Sequence, residues 1–362
     1  MKIKILQRYI LQECWLPFLV CAATLTFIFL AGYLVRAADF IIGRGIPLWD
    51  TCYVLILALP EMFSYTIPMS LLTSVILVFG GLSQNNEIRA MKASGVNPIL
   101  IMTPAFLAAL VLSLAMFVFN DQVATYSSFK LRKVSKEMLI KHPSALIEPG
   151  RFVKLSDGIV FLTKFRDGNK MSDIIAYENE GVDKPVRTIM AERGEIFSQN
   201  KNSELKIKLF DGSVSDSQDS SVQSIQFKTY EFPTLGSDDV RLMKKKVREF
   251  TLAEMLMKSQ EKDLSKKDRK EVWGSFHQRI AFAFGCFIFA FLGIPIAVLV
   301  HRGEVVVSFG ISMIATSFYY ILFVGAKTIS VSASVPPLLA FWVPNVILLI
   351  VGFRLLRRAL IV

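Results

Sequence analysis

Soft metal ligands and nucleophiles are scarce in this sequence: four cysteines and three histidines in 362 residues. Cys14, Cys21, Cys52 and Cys286 lie in or beside apolar runs and form no CxxC pair, so they read as small buried hydrophobes. His142, His277 and His301 are too far apart in sequence to read as a ligand cluster, and no metal is expected. The sequence has no GxxxxGK[ST] loop, so the chain has no P-loop route to ATP hydrolysis. GxSxG and HExxH are missing too, and no enzyme activity or cofactor of its own is expected. The apolar runs carry no ladder of Asp, Glu or His such as a proton-coupled carrier uses, and no repeat with broken helices. If such a chain moves anything, the energy comes from a partner.

Apolar residues are plentiful. They make up 53% of the chain, 29 of them Phe, and mean hydropathy is +0.47. The surplus is concentrated in Trp15–Val35, Cys52–Leu82, Pro98–Phe119, Ile280–Val300, Val305–Ala326 and Leu338–Phe353. Each is near or above the ~20 residues a helix needs to cross a bilayer core. The fold class expected is a membrane α-helical protein, with three spans in residues 1–120, an insert over 121–273 and three more spans in 274–362. Trp15–Val35 is too long for a signal peptide and lacks a small-residue cleavage site.

Six spans put both termini on one side. The short segments there carry nine basic residues: Lys2, Lys4, Arg8, Arg89, Lys92, Arg302, Arg354, Arg357 and Arg358. The opposite side carries three, Arg36, Arg44 and Lys327. The positive-inside rule therefore places the termini in the cytoplasm and the insert outside it. Of the formal +11 charge, +7 belongs to the residues outside the insert, which suits membrane flanks and lipid head groups and argues against nucleic acid.

The insert reads as short alternating strands from about Ser144: Arg151–Leu155, Gly158–Phe165, Ile174–Glu178, Thr188–Glu192, Glu204–Phe210 and Ser224–Tyr230. Asp157–Gly158, Asp167–Gly168 and Asp211–Gly212 are expected to be tight turns. An antiparallel sandwich, jelly roll or partly open barrel fits the spacing. Glu178 and Glu180 are expected on a solvated face. Helical connectors are expected at Gln122–Lys141 and Thr251–Lys258, the second opening with a Thr251/Glu254 capping box, and Lys262–Lys270 is a solvated charge run.

Between spans two and three lies residues 83–95, Ser-Gln-Asn-Asn-Glu-Ile-Arg-Ala-Met-Lys-Ala-Ser-Gly. Ser83 or Asn85 can cap a helix of about three turns that stops at Gly95 before Pro98. Ile88 and Met91 share one side of it, with Glu87, Arg89 and Lys92 elsewhere. Such a helix either docks into a groove on another protein or lies in the interface. Cys52–Leu82 is too long for one straight span and too short for two, and Pro60 and Pro68 allow a kink. Glu61 reads as an interfacial carboxylate, and Asn345 as a hydrogen-bond donor between helices.

Taken together, certain residues resemble the LptF/LptG (YjgP/YjgQ) permeases, the membrane subunits of the lipopolysaccharide export ABC transporter. They are Arg8-Tyr9-Ile10 with Glu13, Leu59-Pro60-Glu61, Ile67-Pro68-Met69-Ser70-Leu71, Asn86 to Gly95, and His277-Gln278-Arg279 before Gly293-Ile294-Pro295. The resemblance covers essentially the whole chain, and Leu34–Arg36 with Pro60-Glu61-Met62 leans toward the LptF branch. It implies an inserted periplasmic β-jellyroll and an inner-membrane location. It implies a coupling helix at Glu87, Ile88, Arg89, Met91, Lys92, Ser94 and Gly95 docked on a cytoplasmic ABC ATPase dimer that uses ATP. The implied partners are a paralogous permease, a periplasmic jellyroll bridge protein, lipopolysaccharide and membrane lipids. Arg36, at the outer end of span one, matches basic residues that contact the glycolipid's phosphates. Ala283 departs from the pattern, since many members have Pro there.

The residues suit that task. Phe- and Leu-rich spans can enclose acyl chains, and a guanidinium such as that of Arg36 can meet a phosphate or act as a plain interfacial anchor. Exposing acyl chains to water costs about 0.8 kcal/mol per CH₂, a barrier that calls for an external energy source. The competing readings are a membrane-anchored envelope assembly or binding protein that transports nothing, and an ion-coupled carrier of another lipid.

Overall fold

The computed structural model describes residues 2–38, 41–42, 46–141, 150, 152–156, 159–167, 170–178, 187–199, 204–218, 221–233, 243–261, 264–300, 303–332 and 335–361. Ser144, Arg44, His142, Glu180, Lys262, His301, Arg302 and the turn positions Asp157, Gly158 and Gly168 lie outside them. The helices are α1 (Lys2–Ala38), α2 (Leu48–Gln84), α3 (Glu87–Ala93), α4 (Pro98–Val118) and α5 (Thr125–Lys141), then α6 (Leu252–Ser259), α7 (Lys266–Ala283), α8 (Gly285–Val300), α9 (Val305–Ser332) and α10 (Pro337–Ile361). Six helical stretches are long and apolar enough to cross a membrane: Ile5–Val35, Leu48–Gln84, Pro98–Met138, Lys267–Val300, Val305–Ser330 and Pro337–Ile361. The protein is an integral membrane protein.

The chain divides into two compact units. One comprises residues 1–32, 58–129 and 245–362, and the other 33–57 and 130–244.

In the helical unit, α2 and α8 lie at the centre, and their Leu72, Val75, Ile76, Phe79, Phe289 and Ile294 form the heart of the core. Small residues allow the close approach: a Cβ on Gly293 would sit 2.7 Å from Leu72 Cδ1, and one on Gly352 2.8 Å from Phe291 Cδ1. Hydroxyl and amide groups tie the helices together where no water competes. Thr73 Oγ1 donates to Ser312 Oγ at 2.8 Å, and Ser83 Oγ to Val298 O at 3.1 Å. Asn345 Nδ2 donates to Ala281 O at 2.9 Å and its Oδ1 accepts from Tyr319 at 3.1 Å, so it joins α10 to α7 and α9 as expected. The helix α2 runs unbroken for 37 residues despite Pro60 and Pro68. The fourth span is interrupted at Phe284 although residue 283 is Ala, and Ser113 Oγ bonds the Ala283 carbonyl there at 2.5 Å. A local break therefore forms without proline.

The second unit holds one antiparallel sheet in sequential order: β1 (Val153–Ser156), β2 (Ile159–Asp167), β3 (Lys170–Glu178), β4 (Arg187–Gln199), β5 (Glu204–Gln218) and β6 (Ser221–Pro233). Phe161, Ile174, Ala176, Ile189, Ala191, Ile196, Ile207 and Leu209 form its core. The pairing skips one rung along a line through Lys164, Asp173, Glu192, Asp211 and Lys228. Asp173 and Asp211 on that line have φ of 52°. Buried alternation changes phase there: Ile189 and Ala191 are buried on one side, Gly194 and Ile196 on the other. The line is a crease that turns both halves of the sheet toward one core. It also corrects the Asp211–Gly212 turn: both residues lie inside β5, where Gly212 is needed because a Cβ would run into Met190 O and the Phe227 ring. Asp tolerates the left-handed backbone that Asp211 adopts, inside a strand as well as in a turn, so the dipeptide alone does not tell a turn from a crease. Glu178 is half-buried with Oε2 shielded from solvent, where a solvated face was expected.

Candidate functional site

Two places on the helical unit concentrate chemistry. The first is α3. It spans seven residues, about two turns where three were expected. Its N-cap is Asn86 in the left-handed conformation, with no side-chain cap bond. Neither Ser83 nor Asn85 caps it: Ser83 still lies inside α2, which ends at Gln84, and its hydroxyl donates to Val298 O on α8. At the other end Gly95 has φ of 78° and receives the turn, as its position before Pro98 suggested.

The expected face residues are sorted clearly. Ile88 is 3% exposed and joins the helical core, and Met91 packs against it. Lys92 Nζ donates to Ala359 O at 3.3 Å, taking up a carbonyl at the C-terminal end of α10. Glu87 Oε2 accepts from Tyr9 of α1 at 3.4 Å, and Arg89 Nη1 donates to Asn86 Oδ1 at 3.2 Å. Ser94 Oγ bonds Ala90 O at 2.9 Å. The helix is thus pinned on its apolar side against the core, with the charged groups of Glu87 and Arg89 at the surface. Arg36 lies in the last turn of α1, and its side chain is outside what the structure describes.

The second place is the far end of the spans. A π-helical turn, Phe119–Ala124, follows α4. Its extra residue per turn swings Asn120 and Asp121 inward, each 8% exposed. Asp121 Oδ1 accepts from Arg279 Nη1 at 2.8 Å and from the Leu252 N–H at the start of α6, also at 2.8 Å. Arg279 further donates to Phe250 O at 2.8 Å and Arg248 O at 3.0 Å. The pair is nearly enclosed, at 11% and 12% side-chain exposure, so each charge depends on the other. One carboxylate and one guanidinium thereby fasten α4, α7 and the 245–252 segment together.

Beside this latch lies a cavity of about 420 Å³. Tyr65, Phe282, Tyr320 and Phe323 form an aromatic wall; Lys246, Arg248 and Lys327 supply cations, and Glu61 and Glu249 carboxylates. The Tyr320 hydroxyl is shielded from solvent and has no hydrogen-bond partner among the described residues. Glu61 is exposed and lines the mouth, in keeping with an interfacial carboxylate. An apolar wall beside charged groups suits an amphiphile better than a small polar metabolite.

Nearby, the Thr251/Glu254 capping box forms as expected, with Glu254 also held by Lys245 at 2.6 Å. Partial burial pushes the Glu254 carboxyl up, but the Lys245 ammonium and the Thr251 N–H and hydroxyl outweigh it and hold it below the ordinary carboxylate range. Sequence reading missed the Asp121–Arg279 pair. The signal was available: an Asp directly after one apolar run and an Arg at the start of another, each costly to bury alone. Among the described residues, no group of three His, Cys, Asp or Glu gathers as a metal site.

Comparison with known proteins agrees with this architecture. The chain matches the family described as "Lipopolysaccharide export system permease LptF/LptG" over residues 8–358. The "Lipopolysaccharide export system permease protein LptF" of Escherichia coli (strain K12) is 22% identical over 357 residues, which cover 95% of this chain and 92% of that protein. "Uncharacterized protein RP871" of Rickettsia prowazekii (strain Madrid E) is 25% identical over 263 residues, 71% of this chain and 72% of that protein. Six membrane-length helices, an antiparallel sheet between the third and fourth, and a match running almost end to end lead to one statement: the chain belongs to the LptF/LptG family of lipopolysaccharide export permeases.

Proposed function

We propose that the protein is a permease subunit of an ATP-driven lipopolysaccharide exporter. It takes the glycolipid from the outer leaflet of the inner membrane and passes it to a periplasmic bridge. The observation that carries this reading is α3, a short helix seated on the transmembrane core through Ile88 and tied to α1 and α10 through Glu87 and Lys92. A helix held in this way transmits a push from outside the membrane to several spans at once. The chain brings no P-loop, so the push comes from a partner ATPase that uses ATP. The whole family match supports the pairing with a second permease.

In this reading the termini and α3 face the cytoplasm, consistent with nine basic residues against three. The creased sheet is then a periplasmic jellyroll-like module that receives acyl chains. Arg36, with the cations beside the aromatic cavity, meets phosphates at head-group height. Glu87→Lys reverses the charge presented to the ATPase and leaves Ile88 in place. The expected result is loss of ATPase co-purification and retention of lipopolysaccharide in the inner membrane. Normal association and export would overturn the coupling role of α3.

A further inference from the structure

Along the outside of α10 runs a furrow that the export reading does not use. Its volume is about 530 Å³, and Phe291 of α8 with Leu349, Ile350 and Phe353 of α10 line it. Gly352 makes the floor possible: with no side chain there, the Phe291 ring lies against the α10 backbone. Val346 closes one end and opens into a second apolar depression along Leu338–Ile347. At the other end stand Arg354 and Arg357, the latter with its guanidinium 4.5 Å from the Phe353 ring. Both arginines are exposed, and among the described residues neither pairs with a carboxylate.

We infer that this furrow is a binding site for an anionic membrane phospholipid. Three observations converge on that occupant. Val346, Ile350, Phe353 and Arg357 follow one another at helical spacing on one face, so the apolar length ends at the cations. The eleven helical steps from Val346 to Arg357 rise about 16 Å, close to half of a ~30 Å hydrocarbon core. One leaflet's acyl chain therefore fills the furrow when its phosphate reaches the arginines. The wall of large side chains is also unlike the small-residue faces on which membrane helices pack together. A basic pocket between helices at a membrane face is a recognised home for acidic head groups.

The leaflet, though not the site, rests on the proposed orientation. Lys92 of α3 reaches Ala359 of α10, so the arginines share an end with α3, and that end is cytoplasmic in the export reading. The phospholipid holds α8 and α10 together at the end where α3 is seated.

The test is photocrosslinking of the full-length chain in bilayers of equimolar phosphatidylglycerol and phosphatidylethanolamine. A benzophenone side chain replaces Ile350, or Ile314 on the exposed face of α9 as reference, and the adducts are weighed by mass spectrometry. At position 350 phosphatidylglycerol adducts should exceed phosphatidylethanolamine adducts by roughly fivefold for each arginine engaged. At position 314 the ratio should follow the bulk. Arg354→Gln with Arg357→Gln should bring the 350 ratio down to the 314 ratio, and the Lys pair should retain most of the preference. Equal ratios at the two positions, a preference that survives the Gln pair, or adducts made mainly with protein would each overturn the site. Glu87→Lys separates the two readings: it should abolish export and leave the lipid ratio unchanged.

Discussion

At the residue scale, the Asp121–Arg279 pair is the most consequential contact in the helical unit. Breaking a buried pair from one side leaves an uncompensated charge, worth about 3–5 kcal/mol. Asp121→Ala should lower thermal stability in detergent by that order, and Arg279→Ala likewise. The double variant should cost less than the sum, because each single variant already sacrifices the same interaction. Additive losses would show that the two side chains act separately. Glu254 gives a pH handle. Its folded carboxyl titrates below the ordinary range, so its contribution is present above the unfolded value near about pH 4.3 and is lost as the pH falls through the lower folded value. The hydrogen-exchange protection factors over residues 245–259, taken against the intrinsic rate at each pH, should therefore fall on acidification in that window. In Glu254→Gln the same step should be missing.

At the element scale, the legible and illegible parts divide on a physical line. Spans announce themselves by length and hydropathy, and the Thr251/Glu254 box by local spacing, so both were readable. The start of α3 was not, because α2 continues through Ser83, a natural cap by type, to Gln84 and leaves Asn86 as the cap. The crease at Asp211–Gly212 and the Asp121–Arg279 latch depend on partners brought together by the fold. The seven positions singled out from Glu87 to Gly95 were legible as a motif, but which of them is buried became clear only with Ile88 in the core. Packing between elements offers its own test. At Gly293 a Cβ would meet Leu72 of α2, so Gly293→Val should cost about 1–3 kcal/mol by overpacking. Pairing it with Leu72→Ala should recover part of the loss in the same thermal melt.

At the scale of the whole molecule, the distribution of charge and the position of the sheet make one strong prediction. Single cysteines placed at Asn85 and at Lys164, with the four native cysteines replaced, should fall on opposite sides of the membrane. An impermeant maleimide added to intact spheroplasts should label position 164 and spare position 85. The reverse pattern would invert the protein and remove the coupling role of α3 with it.

The first helix carries a consequence of its own. Ser74 bonds the Cys14 carbonyl at 2.8 Å and Thr26 shares a 3.1 Å bond with Thr66, while Trp15, Leu16, Val20 and Phe27 are mostly bare. Inside a bilayer, hydrocarbon tails compete with protein for such flanks on equal terms, since neither is the drier neighbour. These two hydroxyl rungs, with Ile10 in the core and Leu25 buried, then decide where the helix stands. A helix seated in this way can shift sideways and be re-seated without wetting its backbone.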